Sequence, residues 1–127
     1  MITSTSLPEK FLARFSDGEH EGLTDTTPKY GGAGAGFKPV ELLEASLASC
    51  ITTVLRIAAD KRGIPLSGVT ATVSLNLESK EESVFTYTIE LQGELTDEQR
   101  ATLLRAAEAC PVKKALSRTV VFQATEA

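Results

Sequence analysis

The sequence has few of the residues that bind metals, and its basic residues are scattered. Two cysteines and one histidine among 127 residues are too few for a convincing zinc site. The net charge is −4, with both signs interspersed and no Lys/Arg run, so nucleic acid is not expected as a partner. No apolar stretch nears the ~20 residues of a membrane span. We therefore expect no metal, no cofactor, no nucleic acid and no membrane among its partners.

The N-terminus also lacks a recognisable export signal. Its first residues, MITSTSLPEKF, have neither the charged nor the apolar region of a signal peptide. We therefore expect a cytoplasmic protein. In the cytosol thiols are normally kept reduced, and a disulfide is more often transient and catalytic than structural. The chain length predicts a single domain, residues 1–127, with a core of its own.

Residues 36–62 predict one long helix, which begins at Pro39 and ends before Gly63. Proline suits a first helical turn because that turn has no use for its missing N–H. Side chains three, four or seven positions from Cys50 share its face, and we expect this face to be buried. They are Leu43, Ser46, Leu47, Thr53, Val54 and Ile57. The Cys50 thiol is therefore expected to be buried or nearly so.

Strands are predicted on both sides of this helix. Residues 10–15 alternate, and Asp17-Gly18 is a turn signal that predicts a hairpin with a second strand at 19–23. The glycine-rich segment 31–36 is interpreted as a flexible connector, since no buried strand precedes it as a dinucleotide fingerprint requires. After the helix, the alternating segments 69–77 and 85–91 predict an antiparallel hairpin.

The C-terminal third predicts two helices and a strand. A capping box at Thr96 opens a helix through about Ala109. Its expected buried positions are Leu103, Leu104, Ala106 and Ala107. A short helix, 112–116, follows Pro111 and places Cys110 at its N-cap, and residues 119–123 predict a last strand. Strands outside a βαβ rhythm, with helices grouped around them, predict the α+β class.

The two cysteines allow a chemical and a structural interpretation. At a helix start, free N–H groups and the helix dipole stabilise the thiolate of Cys110. Cys50 lies in the middle of a helix and would need a nearby cation to react. A thiol that reduces peroxides needs a second thiol to capture its sulfenic acid, and this pair fits that division of labour. In the structural alternative, both cysteines are small buried hydrophobes.

The stretch GGAGAGFKPVELLEASLASC, followed about sixty residues later by CPVKKALS, resembles the OsmC/Ohr family. These are the osmotically inducible protein C and organic hydroperoxide resistance proteins, and the resemblance covers nearly the whole chain. It implies an intertwined homodimer, with antiparallel sheets wrapped around central Cys-bearing helices. It also implies a thiol-dependent peroxidase that reduces organic hydroperoxides to alcohols and is itself reduced by a dithiol, such as a lipoyl-bearing protein.

Carried over residue by residue, Cys50 resembles the peroxidatic cysteine and Cys110 the resolving cysteine, and the two would form an intramolecular disulfide. In the peroxidase branches a glutamate early in the Cys helix partners an arginine that activates the thiolate. Ten positions before Cys50 this chain has Val40, and Glu41 follows, as in an OsmC-like branch with a shifted glutamate. Glu41 is thus the catalytic candidate, with a plain helix-start charge as its alternative.

The activating cation has no clear counterpart in this chain. The candidates are Arg14, Lys29 and His20, none of which stands where the family pattern places its arginine. This departure motivates a second functional hypothesis, an OsmC-like stress protein or binding module that takes a small ligand and has no peroxidase activity.

Overall fold

Residues 1–126, which the computed structural model describes, form three strands, a long helix, a two-stranded hairpin and two shorter helices, in that order. The strands are β1 (Thr3–Ser6), β2 (Ala13–Ser16), β3 (Glu21–Thr24), β4 (Gly68–Asn76) and β5 (Val84–Gln92). The helices are α1 (Pro39–Arg62), α2 (Asp97–Ala106) and α3 (Pro111–Leu116). Internal contacts separate a first unit, Met1–Leu43, from a second that begins at Glu44. The predicted α+β class is confirmed, and the assignment of the chain to one domain stays a prediction.

The first unit contains a three-stranded antiparallel sheet in the order β1-β2-β3. The predicted turn at Asp17-Gly18 connects β2 to β3, and Gly18 takes the positive φ of 103° that suits glycine. The predicted first strand was wrong at its start, because Leu12 donates its N–H to the Glu9 carbonyl and closes a turn there. β1 was not predicted, since its sequence TSTS carries no apolar alternation.

The glycine-rich segment is an ordered loop, so its interpretation as a flexible connector was wrong. The buried carboxylate of Asp25 accepts N–H groups from Thr26, Ala33 and Ala35 at 2.8, 3.2 and 3.0 Å. These bonds hold the pKa of Asp25 below its usual value, the bond from Ala35 contributing most. A side chain at Gly32 would collide with the Thr26 carbonyl. The glycines therefore let the loop fold closely around a fixed acid.

α1 begins and ends where the sequence predicted. Pro39 is its first residue, and the backbone N–H of Lys38 donates to Glu41 Oε1 at 2.7 Å. At the other end Gly63 adopts a φ of 63°, and the N–H of Ile64 returns to the Ala59 carbonyl at 2.9 Å. A left-handed glycine with such a return bond is a frequent way for a helix to stop.

The buried face of α1 is not the predicted one. The side chains that enter the core are Leu47, Ile51, Leu55, Ala58 and Ala59. Cys50 and Val54 of the predicted stripe are half-buried. Its exposed members are Leu43, Ser46, Thr53 and Ile57. That prediction failed because the helix is apolar around much of its circumference, so the sequence does not identify the face that the chain itself covers.

The expectation that no apolar stretch is long enough to cross a membrane was wrong for α1. By length and composition it could cross one, with a mean hydropathy of 1.5 over an 18-residue window. A core helix of a soluble protein passes the same test. The helix supplies Leu47, Ile51 and Leu55 to the core of the second unit, so its apolar character is accounted for in part by packing.

β4 and β5 form the predicted hairpin of the second unit, paired antiparallel from Gly68↔Gln92 to Asn76↔Val84. Alternate side chains of both strands pack against the buried core. The predicted capping box opens α2, since Gln99 N–H donates to Thr96 Oγ1 at 3.1 Å and Thr96 N–H to Gln99 Oε1 at 3.0 Å. Leu103 is fully buried as expected, but Leu104 is 46% exposed and that prediction was wrong.

The predicted last strand, residues 119–123, is not a strand in the described chain. Its three apolar residues are consecutive, and Val120, Val121 and Phe122 are 56%, 70% and 91% exposed. A strand is defined by backbone pairing as well as by pattern, and this segment pairs with none of the described strands. The segment therefore has residues that favour strands but forms no strand in the described chain.

Candidate active site

Cys110 stands at the start of α3, as predicted. A 3-10 turn, Ala107–Ala109, leads into it, and Pro111 is the first residue of the helix. The backbone N–H of Lys113 donates to Cys110 Sγ at 3.4 Å, so the sulfur is the N-cap acceptor. The side chain is fully buried. The local sequence thus fixes the thiol in one orientation and removes it from bulk water.

Cys50 lies near the middle of α1, at the edge of its buried face. It is half-buried and packs against the same core cluster as Val112 of α3. Leu47 and Ile51, which flank it on the helix, are almost fully buried. The expected placement of this thiol, buried or nearly so, is therefore close to what the structure has.

The two thiols, sixty positions apart in the sequence, interact in the structure. Burial raises the pKa of the Cys50 thiol, and its hydrogen bond with Cys110 raises that pKa further. The backbone N–H of Val112 acts in the opposite direction, since a donor stabilises the thiolate. Both cysteines are free thiols here. Two neighbouring thiols can be oxidised to a disulfide, although their catalytic roles stay predictions.

Three polar side chains close to Cys110 were missed by the sequence analysis. Lys113 Nζ donates to Glu108 Oε2 at 2.6 Å and to Tyr87 Oη at 3.1 Å. These partners, Glu108 before Tyr87, raise the pKa of Lys113. Glu108 and Lys113 flank Cys110 in the sequence, which could have identified them, whereas the tyrosine comes from β5 and only the fold brings it here.

Glu41 is occupied at the start of α1. Its carboxylate accepts the Lys38 N–H, in the way that a capping-box glutamate does. It also lines a cavity of about 380 Å³ together with Leu23, Gly36 and Phe37. The helix-start role is thus directly visible, and the catalytic role of Glu41 stays a prediction.

The three candidate cations each have partners inside the first unit. Arg14 lies 4.0 Å from Glu21 across the β2–β3 pair. His20 Nδ1 lies 3.0 Å from Asp17 Oδ2 at the hairpin turn, and this contact is the largest cause that lowers the pKa of Asp17 to about 2. Lys29 Nζ lies 5.4 Å from the centroid of the Tyr30 ring. The structure thus gives each of them a local role.

Glu44, a residue of α1 without a predicted role, proves to be structural. Its Oε2 accepts the backbone N–H of Leu75 at 2.9 Å, a donor that β5 does not use. This bond fastens the helix to the edge of the β4–β5 hairpin. Within residues 1–126, no group of three or more His, Cys, Asp or Glu side chains could hold a metal ion.

Several solved structures resemble this α+β protein, which has one cysteine on a long helix and a second at the N-cap of a short helix. A Psychrobacter arcticus protein, described as osmotic stress induced and of the detoxification response, is 27% identical with a TM-score of 0.74, covering 90% of this chain and 85% of that one. An organic hydroperoxide resistance protein OsmC from Legionella pneumophila is 22% identical with a TM-score of 0.66, covering 92% and 88%. Bacillus subtilis OhrB, an organic hydroperoxide resistance protein, is 22% identical with a TM-score of 0.64, covering 92% and 89%.

The fold is therefore that of the OsmC and Ohr proteins. The sequence profile of the family described as OsmC-like protein matches residues 31–125, a span that contains Glu41 and both cysteines. The chain belongs to the OsmC-like family, which confirms the resemblance read from the sequence. Proteins with curated functions gave no match.

Proposed function

We propose that this protein is a thiol-dependent peroxidase that reduces organic hydroperoxides to alcohols. Cys50 is the peroxidatic cysteine and Cys110 the resolving cysteine. The observation that carries the proposal is that the two cysteines, which come from distant parts of the sequence, meet at one core cluster. Organic hydroperoxide resistance is the described role of two of the structural relatives, and it supports the same reaction class.

The proposed cycle has three steps. The Cys50 thiolate attacks one peroxide oxygen, breaks the O–O bond and releases the alcohol, which leaves a sulfenic acid on Cys50. The Cys110 thiol displaces the hydroxyl of the sulfenic acid, so that a disulfide forms and water leaves. An external dithiol then reduces the disulfide by exchange and is itself oxidised.

The surroundings of the thiols favour an organic over an inorganic peroxide. On the face of α1 that carries Cys50, the apolar side chains of Leu43 and Ile57 are 45% and 49% exposed. An alkyl group gains free energy by leaving water for such a surface, whereas hydrogen peroxide has no apolar part to bury. The proposal therefore takes alkyl or fatty-acid hydroperoxides as substrates. It includes a homodimer in the cytoplasm and a dithiol reductant such as a lipoyl-bearing protein.

Activation of Cys50 is the demanding step, because only the thiolate attacks the peroxide. Burial and Cys110 raise its pKa, and the Val112 N–H is the one group that lowers it within the described chain. We therefore expect the rate of disulfide formation to rise with pH through the alkaline range. The catalytic part that the family pattern gives to Glu41 belongs to this step of the proposal.

Intact mass after peroxide treatment tests the function. The reduced protein incubated with cumene hydroperoxide should lose two hydrogens as the disulfide forms. Cys110→Ser should instead gain oxygen on Cys50, because no second thiol captures the sulfenic acid. An unchanged mass in the wild type together with an unoxidised Cys50 in Cys110→Ser would reject the proposal.

The raised pKa of Cys50 favours a second candidate, an OsmC-like protein that binds a small apolar ligand without peroxidase activity. A thiol that is protonated at neutral pH serves packing better than nucleophilic attack. The rate of Cys50 alkylation against pH separates the two functions when it is measured beside the peroxide reaction. A high apparent pKa together with an unchanged mass supports the binding protein, and disulfide formation supports the peroxidase.

A further inference from the structure

Lys113, Glu108 and Tyr87, here called the Lys113 cluster, surround the segment that carries Cys110. The ammonium group of Lys113 donates to Glu108 at 2.6 Å and to Tyr87 Oη at 3.1 Å, and it lies 5.4 Å from the centroid of the tyrosine ring. The Lys113 side chain is 30% exposed and that of Glu108 is 65% exposed, so solvent weakens the ion pair more than it weakens the part-buried bond to Tyr87. One ammonium group thus joins two elements of the second unit.

The Lys113 cluster spans Cys110 in the sequence. Glu108 comes two residues before the cysteine and Lys113 three residues after it. Their ion pair therefore connects the 3-10 turn to α3 across Cys110. Tyr87 attaches this closed turn to β5, and its ring packs against the core. The main chain of Lys113 meanwhile donates to Cys110 Sγ. A single residue therefore contacts the thiol and restrains the chain on both sides of it.

We propose that Lys113 is a positioning residue for Cys110. Lys113 holds the resolving thiol beside Cys50, so that disulfide formation is faster than over-oxidation of Cys50. This inference rests on the proposed peroxidase function. Charge-assisted hydrogen bonds are the strong kind, and two of them converge on one ammonium group at the end of a short helix. A six-residue helix has little stability of its own, so its position depends on such side-chain contacts.

Two reactions compete for the sulfenic acid of Cys50. In one, the Cys110 thiol attacks the sulfur, the disulfide forms and water leaves. In the other, a second hydroperoxide molecule transfers oxygen to the sulfenic acid, which becomes a sulfinic acid while the peroxide becomes an alcohol. The first reaction is intramolecular and depends on how well the thiol is placed, whereas the second depends on peroxide concentration. The ratio of disulfide to sulfinic acid therefore measures the positioning of Cys110.

The test replaces Lys113 by Met, which keeps the length of the side chain and removes its charge. At a fixed excess of cumene hydroperoxide, the ratio of disulfide to sulfinic acid in the intact-mass spectrum should fall roughly fivefold, the scale of the net contribution of one ordinary hydrogen bond. Lys113→Arg keeps the charge and should stay within about twofold of the wild type. Lys114→Met alters an exposed lysine of the same helix and should leave the ratio unchanged.

A Cys110→Ser background isolates the step. Resolution is absent there, so adding Lys113→Met should not change the rate at which Cys50 is oxidised, whereas a general loosening of the site would change it. Tyr87→Phe removes only the hydroxyl and should lower the ratio less than Lys113→Met, which keeps the test decisive if Lys113→Met does not fold. A wild-type ratio in both variants overturns the inference, while a wild type that forms no disulfide overturns the proposed function instead.

Discussion

Two helices of this protein begin with similar tetrapeptides, Lys38-Pro39-Val40-Glu41 in α1 and Cys110-Pro111-Val112-Lys113 in α3. In each, proline is the first helical residue, where its missing N–H has no cost. The capping bonds run in opposite senses along the chain. In α1 the first backbone N–H donates to the side chain of the fourth residue, and in α3 the fourth backbone N–H donates to the side chain of the first.

This difference decides what each accepting side chain is free to do. Glu41 carries a charge that the start of α1 already uses, and a glutamate there is explained without any chemistry. The Cys110 thiol accepts one bond from its helix and also interacts with the Cys50 thiol. Similar local sequences thus produce a structural acid at one helix start and, in our proposal, a reacting sulfur at the other.

The largest effect is expected at the start of α3. Cys110→Ala should abolish the intramolecular disulfide, because no second thiol remains, and Cys50 should over-oxidise instead. The loss of the N-cap acceptor should also destabilise the protein by about 1 kcal/mol, with a further loss from the emptied buried volume. Intact mass measures the first effect and chemical denaturation the second.

Cys110→Ser is the matched control for this prediction. Serine restores a good N-cap acceptor and no thiol, so the disulfide should remain absent while the part of the stability lost with the cap returns. Neither variant can form an intramolecular disulfide, because the chain has two cysteines and one is replaced. A Cys50 that stays unoxidised in both variants would contradict its role as the thiol that attacks the peroxide.

The next largest effect is expected in the loop that precedes α1. Asp25→Asn should lower Tm by several degrees, because a neutral amide replaces a buried carboxylate that accepts three N–H groups. The pKa of Asp25 is depressed in the folded state. Its stabilisation is therefore present above the carboxyl pKa of the unfolded chain, about 3.9, and is lost as pH falls through the lower folded value.

Thermal unfolding at a series of acidic pH values measures this contribution. The wild type should lose more stability than Asp25→Asn as pH is lowered, since the variant has no carboxylate to protonate at this position. Parallel losses in the two proteins would show that the loop is held by other contacts.

A smaller effect is expected for the pKa of Cys50. Burial raises this pKa and so does the bond with Cys110, so alkylation of Cys50, followed by peptide mass, should titrate at lower pH in Cys110→Ala than in the wild type. The thiol's contribution to stability is complete below the unfolded thiol pKa, about 8.5, and is lost as pH rises through the higher folded value. Identical titrations of Cys50 in the two proteins would contradict the role of Cys110 in raising the pKa.

Local signals in the sequence predicted the helix starts and ends, because their causes are local. The helix start at Pro39, the capping box at Thr96 and the helix end at Gly63 are each closed by hydrogen bonds between residues at most five positions apart. The N-cap position of Cys110 was predictable for the same reason, whereas its pairing with Cys50 comes from the family motif and stays a prediction. These features did not depend on knowing how the chain folds back on itself.

Features that depend on distant residues were not predictable from the pattern alone. The covered face of α1 was misassigned because its circumference offers more than one apolar face, and the strand predicted at 119–123 has no described strand to pair with. Tyr87 meets Lys113 only through the fold, although they are 26 positions apart. Asp25 stands in a polar segment of the sequence, and its buried position depends on the backbone of the glycine-rich loop that surrounds it.

The smallest effect is expected at the start of α1, where the comparison of the two helix starts is sharpest. Glu41→Gln keeps an oxygen that can accept the Lys38 N–H, so the free energy of unfolding should change by less than about 0.5 kcal/mol. Glu41→Ala, which removes the acceptor, should lose about 1 kcal/mol.

If the carboxylate acts only at the helix start, both variants should form the disulfide at a rate within about twofold of the wild type, a change of ~0.4 kcal/mol in the barrier. A tenfold fall in Glu41→Gln, with stability unchanged, would assign to this carboxylate the catalytic role that the family pattern implies, and the two helix starts would then both belong to the active site.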